Sequence, residues 1–521
     1  MSTAARTKVR LAELVATLSL GTDLGMAQPM EHVLRQSLIA LRLAERLGLD
    51  ETERVVVYYV GLLAWVGCHV DAYEQAKWFG DDTVFKGDWR QVDTGRPLAA
   101  GSFVLGHLGS SRPLVQRARL GVAFLGEGRR AVRDMVENHW IATNELAARL
   151  ELGPDVRDSL YQTFERWDGK GAPGEVRGPQ IHVAARLVNL ADVVEVFHRV
   201  GGVDAATAVA RERSGTQFDP GLVEVFCAEA PALLSALETA TSWDAVIAAE
   251  PALAVVLTDA QLDASLEAIA DFVDVKSPWT IGHSRGVAAL AADAARSLGL
   301  SEDAIVRVRR AGLVHDLGRL GVSNGTWDKR GPLTAGEIER VRLHPYLTER
   351  MLAASAALAP LGAIAVQHHE RLDGSGYPRG LTGGAMTLPG KVLAAADAYR
   401  AMTEPRPHRP ALSTDQAARE IRAGVARARF DPGAADAVLG AAGHASRRRR
   451  TLPAGLTARE VEVLRLLVRG LSYKEIAAEL VISRRTAGAH VEHIYTKLGV
   501  SNRARASLFA MKHGLMDGEA P

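Results

Sequence analysis

Cysteine, net charge and long apolar runs are all scarce in this chain of 521 residues. The two cysteines, Cys68 and Cys227, are too few for a disulfide framework or a thiolate metal site, which fits a reducing compartment. A net charge of +1 means that any basic surface for nucleic acid must be local. The most apolar stretch, 55–68, is too short to cross a bilayer comfortably. With no signal-peptide pattern at the start, we expect a cytoplasmic protein of about three domains.

Alternating strand patterns are also scarce, whereas alanine and leucine are abundant. Segments such as 262–274 and 286–300 repeat apolar residues at intervals of three and four, which is typical of amphipathic helices. The pattern predicts an all-α protein.

The second half of the chain contains seven potential metal ligands, and two of the groups are adjacent pairs. They are His283, His315, Asp316, His344, His368, His369 and Asp397. Imidazoles and carboxylates without thiolates suit iron, manganese or zinc, and a carboxylate within such a set can bridge two ions. A single histidine is most often an ordinary core or surface residue, but this grouping favours a metal site.

Two blocks of sequence around these ligands carry a family resemblance. AGLVHDLGRLGV (311–322) and VQHHERLDGSGYPRGL (366–381) closely resemble the signature blocks of the HD-GYP family of metal-dependent phosphohydrolases. The resemblance covers about 259–440. It implies hydrolysis of a cyclic dinucleotide, cyclic di-GMP in particular, by a two-metal mechanism in which a metal-held water attacks the phosphodiester.

The resemblance also implies a role for each ligand. His283, His315, Asp316 and Asp397 would hold one ion, and Asp316, His344, His368 and His369 the other. Where some members have a carboxylate for a third metal, this chain has Trp279, so we expect two divalent ions.

Arg319 and the Gly376-Tyr377-Pro378 loop are the expected substrate contacts, and Asp316 and Arg319 the expected catalytic residues. Arg319 stands where the family usually has lysine, which keeps the charge but replaces a compact ammonium with a planar fork.

The first 250 residues repeat the same spacings. The number of residues between His32 and Ala64 equals that between His283 and His315. The segment TFERWDGKGAP (163–173) also aligns with HHERLDGSGYP. The repeat predicts a duplicated HD-type helical bundle: a degenerate copy over 1–250 with an insertion near 68–138, and an intact copy over 255–440.

The first copy has lost most of the expected ligands. Ala64, Trp65, Thr163 and Phe164 replace the bridging carboxylate and three imidazoles, although His32, His139 and Asp192 survive. Two interpretations remain open: a structural, dimerising pseudo-domain, or a sensory pocket in the vacated site.

An Arg-rich linker over 441–453, including Arg447 to Arg450, leads to a different type of sequence. Residues 456–516 strongly resemble the LuxR-type helix-turn-helix domain, which we place at 454–521 as a four-helix unit. Thr457 with Glu460 and Ser472 with Glu475 form capping boxes, and Ser483 and Ser501 are the expected next N-caps. The third helix would enter the major groove of DNA. The candidate DNA contacts are Arg484, Arg485, Thr486, His490 and Lys497.

Together these features predict a cyclic-dinucleotide phosphodiesterase coupled to a transcriptional regulator. The expected partners are a cyclic dinucleotide, double-stranded promoter DNA and a second copy of the chain, without a membrane. The alternative is a nucleotide-sensing transcription factor whose metal site binds the nucleotide but hydrolyses it negligibly.

Overall fold

The computed structural model describes residues 8–93, 95–110, 112–235, 237, 241–251, 255–444, 453–513 and 515. The chain divides into two compact units, Met1–Ala445 and Ser446–Pro521. Throughout these described ranges the secondary structure is helical, with isolated β-bridges and no β-strand. The prediction of an all-α protein is therefore confirmed. Arg447 to Arg450 lie outside the described residues.

In the described part of the chain before residue 250 there are eleven helices. They are α1 (Leu11–Gly25), α2 (His32–Arg46), α3 (Glu51–Leu63), α4 (Ala72–Phe79), α5 (Asp82–Trp89), α6 (Pro97–His107), α7 (Leu114–Arg149), α8 (Pro154–Tyr161), α9 (Val183–Glu212), α10 (Pro220–Ser235) and α11 (Ser242–Ala248). Short 3₁₀ turns lie at Val66–His69 and Gly178–Gln180.

Residues 255–444, the rest of the first unit that the structure describes, contain nine helices. They are α12 (Asp259–Asp274), α13 (His283–Ser297), α14 (Glu302–Val314), α15 (Asn324–Trp327), α16 (Ala335–Leu352), α17 (Ala359–Ala365), α18 (Leu388–Thr403), α19 (Thr414–Ala426) and α20 (Pro432–Ala441). A 3₁₀ turn at Leu317–Gly321 follows α14 and packs against α16.

The two halves of this unit share local structure at the repeated positions. Helices α2 and α13 have 15 residues each, and α3 and α14 have 13 each, as the repeat predicts. Both halves contain a cis peptide bond before proline, Ala172–Pro173 and Tyr377–Pro378. Buried apolar residues of α1, α3 and α9 join a large core that continues into Leu317 and Met351 of the second half, so the two halves pack as one body.

The insertion between the repeated segments forms α4, α5, α6 and the start of α7. Its aromatic residues make a small core of their own, in which Phe79 stacks on Phe85 with ring centroids 3.8 Å apart. Helix α4 contacts α15 of the second half, so the insertion reaches across the unit.

The second unit contains α21 (Ala458–Val468), α22 (Tyr473–Glu479), α23 (Arg484–Leu498) and α24 (Arg503–Lys512). The predicted capping boxes at Thr457 and Ser472 form, and Ser483 caps α23. The prediction for α24 is wrong by one residue: the Asn502 side chain, rather than that of Ser501, accepts the amide hydrogen bond from Arg505. Asparagine caps as well as serine, and the backbone places it at the required position.

Among the described residues, no single helix is long and apolar enough to span a membrane. One pair, Glu51–His69 with Ala72–Phe79, meets the length and composition criteria but is bent by 56°.

Candidate metal centre

Five helical segments bring the seven expected ligands of the second half to one buried place. His283 begins α13, directly after Gly282 with a φ of +76°. His315 and Asp316 lie between α14 and the following 3₁₀ turn. The others lie in α16, after α17 and in α18, as His344, His368, His369 and Asp397. All except the partly exposed His369 are buried. The structure thus assembles the whole predicted set.

Asp316 lies at the centre of the group and presents its two oxygens to different histidines. Oδ1 is 3.3 Å from His344 Nε2 and 3.6 Å from His368 Nε2. Oδ2 is 3.6 Å from His315 Nε2 and 3.9 Å from His283 Nε2. This division matches the bridging position that the resemblance implies for Asp316.

Asp397 also presents each oxygen to a different side of the group. Its Oδ1 is 3.3 Å from His283 Nε2, and its Oδ2 is 3.7 Å from His369 Nδ1. Sets of potential ligand atoms lie within 4.8 Å of one another in three combinations: His344–His368–His369, His283–His315–Asp397 and His315–Asp316–His368.

The backbone fixes the orientation of three imidazoles. Nδ1 of His315 donates to Gly312 O at 2.8 Å, that of His344 to Val341 O at 2.6 Å, and that of His368 to Ala365 O at 2.7 Å. A carbonyl accepts only, so each Nδ1 carries the proton and each Nε2 presents a lone pair. A histidine that binds a metal through Nε2 must have this tautomer, with the proton on Nδ1.

These Nε2 atoms have no suitable partner within the protein. His315 Nε2 is buried and accepts no hydrogen bond, and Nε2 of His344 faces Nε2 of His368 at 3.0 Å. Two lone pairs directed at each other are unfavourable, whereas a cation beside them satisfies both. The residues therefore fit a divalent metal.

The electrostatics agree with a ligand set. Burial lowers the pKa of His368 to about 3 and that of His369 well below its usual value, which keeps both imidazoles neutral. Burial also opposes charge on His283, but hydrogen bonds with Asp397 and Glu404 raise its pKa to about 9. The carboxylates thus make this end of the site favourable for positive charge.

Two functional neighbours escaped the sequence analysis. Glu404 accepts a hydrogen bond from His283 Nδ1 at 2.8 Å and so orients its ring. Trp327 packs its ring 5.3 Å from that of His344 and lies beneath the Arg319 guanidinium at 4.2 Å. Neither residue belongs to a recognisable motif, since both contacts depend on segments that meet only in the fold.

Arg319 and the glycine-rich loop lie beside the candidate ligands. Arg319 Nη1 donates to Asp316 Oδ2 at 2.9 Å. The Tyr377 ring lies 4.7 Å from the ring of His369, with the cis bond to Pro378 following. A Cβ on Gly376 would approach backbone atoms of residues 369–371 to 2.4–2.5 Å, so only glycine fits this loop.

The first half has an arginine where the second half has its ligand cluster. Asp192, the counterpart of Asp397, accepts hydrogen bonds from Arg90 Nε at 2.8 Å and His32 Nε2 at 3.0 Å. Arg90 belongs to the insertion and also lies over the Trp65 ring at 5.1 Å. Its guanidinium thus neutralises the surviving carboxylate. Within the described residues, groups that could hold a metal occur only in the second half.

The candidate DNA contacts lie on or near the surface of α23. Arg484, Arg485 and Thr486 are exposed at its start, and His490 is half-buried one turn later. Lys497, near its end, forms a salt bridge with Glu460 at 2.7 Å. The N-terminal end of the helix therefore offers the less constrained cationic side chains.

Comparisons with known proteins agree with this architecture. A family model for the HD domain matches residues 267–433, and a model for bacterial regulatory proteins of the luxR family matches 454–510. The 3′3′-cGAMP-specific phosphodiesterase 3 of Vibrio cholerae is 33% identical over 78% of this chain and 89% of that protein. A cyclic di-GMP phosphodiesterase of Thermotoga maritima is 37% identical over 27% of this chain and 38% of its own length.

A solved structure extends the likeness to both halves of the first unit. The crystal structure of a cyclic GMP-AMP-specific phosphodiesterase of V. cholerae superposes with a TM-score of 0.58 at 28% identity. The match covers 84% of this chain and 98% of that one. The chain therefore belongs to the family of HD-domain phosphodiesterases, which are metal-dependent phosphohydrolases, and carries in addition a LuxR-type helix-turn-helix domain.

Proposed function

We propose that the intact copy, residues 255–440, hydrolyses a phosphodiester bond of a cyclic dinucleotide. The observation that carries this proposal is the convergence of six other candidate ligands around Asp316, each of whose oxygens faces two imidazoles. The degenerate copy over 1–250, with its insertion near 68–138, would not take part in the reaction directly.

Two metal ions of iron, manganese or zinc type, when bound, would activate a water and polarise the phosphate. Asp316 would offer one carboxylate oxygen to the side of His344 and His368 and the other to the side of His283 and His315. Arg319 would stabilise negative charge on the phosphate, because its guanidinium already lies beside the ligands and is steadied by Trp327. Its hydrogen bond with Asp316 would hold the guanidinium beside the candidate ligands, where it could pair with a phosphate oxygen.

Gly376, Tyr377 and Pro378 would form the substrate-facing wall. The half-buried Tyr377 ring offers a flat surface next to His369, and the Arg342 guanidinium lies 5.8 Å from the same ring. Aromatic and guanidinium planes stack with nucleobases, so this wall suits a cyclic dinucleotide.

Two closely related cyclic dinucleotides, cyclic di-GMP and 3′3′-cGAMP, are the candidate substrates. The glycine-rich loop suggests cyclic di-GMP, whereas the long match to a 3′3′-cGAMP-specific phosphodiesterase supports 3′3′-cGAMP. We place 3′3′-cGAMP first, because that match extends through both halves of the first unit, and the shorter matches to cyclic di-GMP phosphodiesterases do not.

Turnover of both nucleotides by purified full-length protein tests the proposal. After loading with Mn²⁺ or Fe²⁺, we expect linear product from at least one nucleotide, detected by chromatography, and metal bound in stoichiometric amount. Asp316→Asn should abolish turnover, whereas Asp192→Asn, at the acidic position of the first copy that corresponds to Asp397, should retain metal if circular dichroism shows that it is folded. Metal-loaded protein that hydrolyses neither nucleotide would contradict the proposal.

We further propose that the domain over 454–521 binds promoter DNA, through Arg484, Arg485, Thr486, His490 and Lys497, with 441–453 as the linker. The exposed side chains at the start of α23 support groove contacts. A homodimer is supported by exposed apolar residues of the insertion, among them Leu98, Leu114 and Leu125.

A matched pair of variants tests DNA binding. Replacing both Arg484 and Arg485 with alanine should weaken binding and reduce its salt dependence, because two cationic contacts are lost. Arg469→Ala removes an exposed arginine at the end of α21 and should leave binding unchanged. Equal affinity of the two proteins, measured at one salt concentration, would contradict the assignment of α23.

A further inference from the structure

The first half of the first unit contains a partly open cavity of about 380 Å³. Trp65 and Phe164 line it at the positions that correspond to Asp316 and His369 of the metal centre. The volume is at the lower end of the range of about 300–1,000 Å³ that small-molecule pockets occupy. The cavity therefore has room for one compact molecule.

Aromatic side chains from two sources form the walls. Trp65 and Phe164 come from the repeated core and lie 5.6 Å apart, edge to face. Phe79, Phe85 and Trp89 come from the insertion. An apolar cavity with this many rings favours a flat aromatic guest, since ring-to-ring contacts add to the free energy of burial.

Three of the four lysine and arginine side chains that line the cavity are buried in ion pairs, and the fourth, Lys170, is exposed and lies 4.0 Å from Asp168. Arg90 pairs with Asp192, Lys86 with Asp82 at 2.9 Å, and Arg166 with Asp93 at 3.0 Å. Because these charges are buried and paired, an anionic guest would have to break an ion pair to gain one. The buried part of the cavity, around Arg90, Lys86 and Arg166, therefore selects against phosphate groups.

Three buried acceptor atoms on the lining side chains have no hydrogen-bond partner. They are Gln75 Oε1, His139 Nδ1 and Glu165 Oε2. His139 Nε2 donates to Ala64 O at 3.0 Å, which leaves Nδ1 as an acceptor. Unpaired buried acceptors are costly, and a small rotation of these covered side chains toward the cavity would let a guest with N–H groups satisfy them.

We propose that this cavity binds a planar aromatic heterocycle that carries N–H donors and no anionic group. Size, aromatic walls, paired cations and orphaned acceptors all select this class. The site is separate from the metal centre and does not depend on the reaction proposed there.

Titration of full-length protein with the fluorescent base 2-aminopurine tests the inference. This probe is flat and uncharged, carries N–H donors, and is quenched when it stacks on aromatic residues. We expect saturable quenching that Asp316→Asn leaves unchanged, because the metal centre is not involved.

Two variants place the binding in the cavity. Gln75→Met removes one acceptor at similar volume and should weaken binding about tenfold, and Val193→Phe fills space at the wall and should abolish it. Gln116→Met, on the exposed part of α7, is the matched control for Gln75→Met. If Val193→Phe does not fold, Gln75→Met alone decides. Absence of saturable quenching, loss of it in Asp316→Asn, or equal affinity in Gln75→Met and Gln116→Met would overturn the proposal.

Discussion

Replacing Asp82 with asparagine should destabilise α15 in the second half of the first unit, because this residue of the insertion forms hydrogen bonds with the start of α15. Its buried carboxylate accepts hydrogen bonds from Ser323 Oγ at 2.7 Å and Asn324 N at 2.8 Å, and from Lys86 Nζ at 2.9 Å. Lys276 Nζ lies 3.9 Å away. Asp82 thus holds the start of α15 while it neutralises two buried ammonium groups.

The pKa of Asp82 sets the expected magnitude. Burial would raise this pKa, but Lys86 and Lys276 lower it from 3.8 to about 2. The difference corresponds to about 2–3 kcal/mol in favour of the charged form. Because the folded pKa lies below the unfolded one, the stabilisation is present above about pH 4 and is lost as the pH falls toward 2. Asparagine mimics the uncharged state at neutral pH, so most of this free energy should disappear.

Hydrogen–deuterium exchange of the amides in 323–328 measures the loss directly. We expect exchange to accelerate roughly 30- to 150-fold, since each 1.4 kcal/mol is a factor of ten. Turnover should fall about 10- to 100-fold, because α15 positions Trp327 against Arg319 and His344. Asp88→Asn, a half-exposed residue of the same helix paired with His107, is the control and should change exchange less than about fivefold. Equal exchange in the two variants would refute the reasoning.

Three further outcomes are expected. Removing metal with a chelator should lower the thermal stability of the first unit, by about 4 kcal/mol for a metal held at 1,000 times its Kd, and calorimetry should show no such change in Asp316→Asn. Trp327→Leu should lower kcat about tenfold while α15 keeps its exchange protection, because Arg319 loses the ring beneath it but Asp82 still holds the helix; an unchanged kcat would remove Trp327 from the site. Promoter DNA titrated with apo, metal-loaded and nucleotide-bound protein at one salt concentration should show affinities that differ about 5- to 150-fold, and superimposable curves would mean that the two activities are only tethered.

The cluster of candidate ligands could be predicted from the sequence because its chemistry is local. Histidines and aspartates in adjacent pairs, set into two recognisable blocks, predict a metal site, and the structure brings all seven together. The capping boxes of the second unit were predictable for the same reason, since a helix start is decided within four residues. The prediction of Ser501 is wrong by one residue because the backbone conformation selects which of two neighbouring polar side chains, Ser501 or Asn502, caps the helix.

The sequence by itself therefore determined the helical class, the set of candidate ligands, the repeat and the type of the C-terminal domain, because each depends on residues close together in the sequence. Only the tertiary structure decided what the insertion does. It places Arg90 on Asp192 and Asp82 on α15, and it leaves the aromatic cavity between them. These contacts join residues about 100 to 240 positions apart, and no periodicity or motif encodes which buried charge will meet which partner. The pairs are determined by tertiary packing, because a buried charge without a nearby opposite charge would cost too much free energy of desolvation.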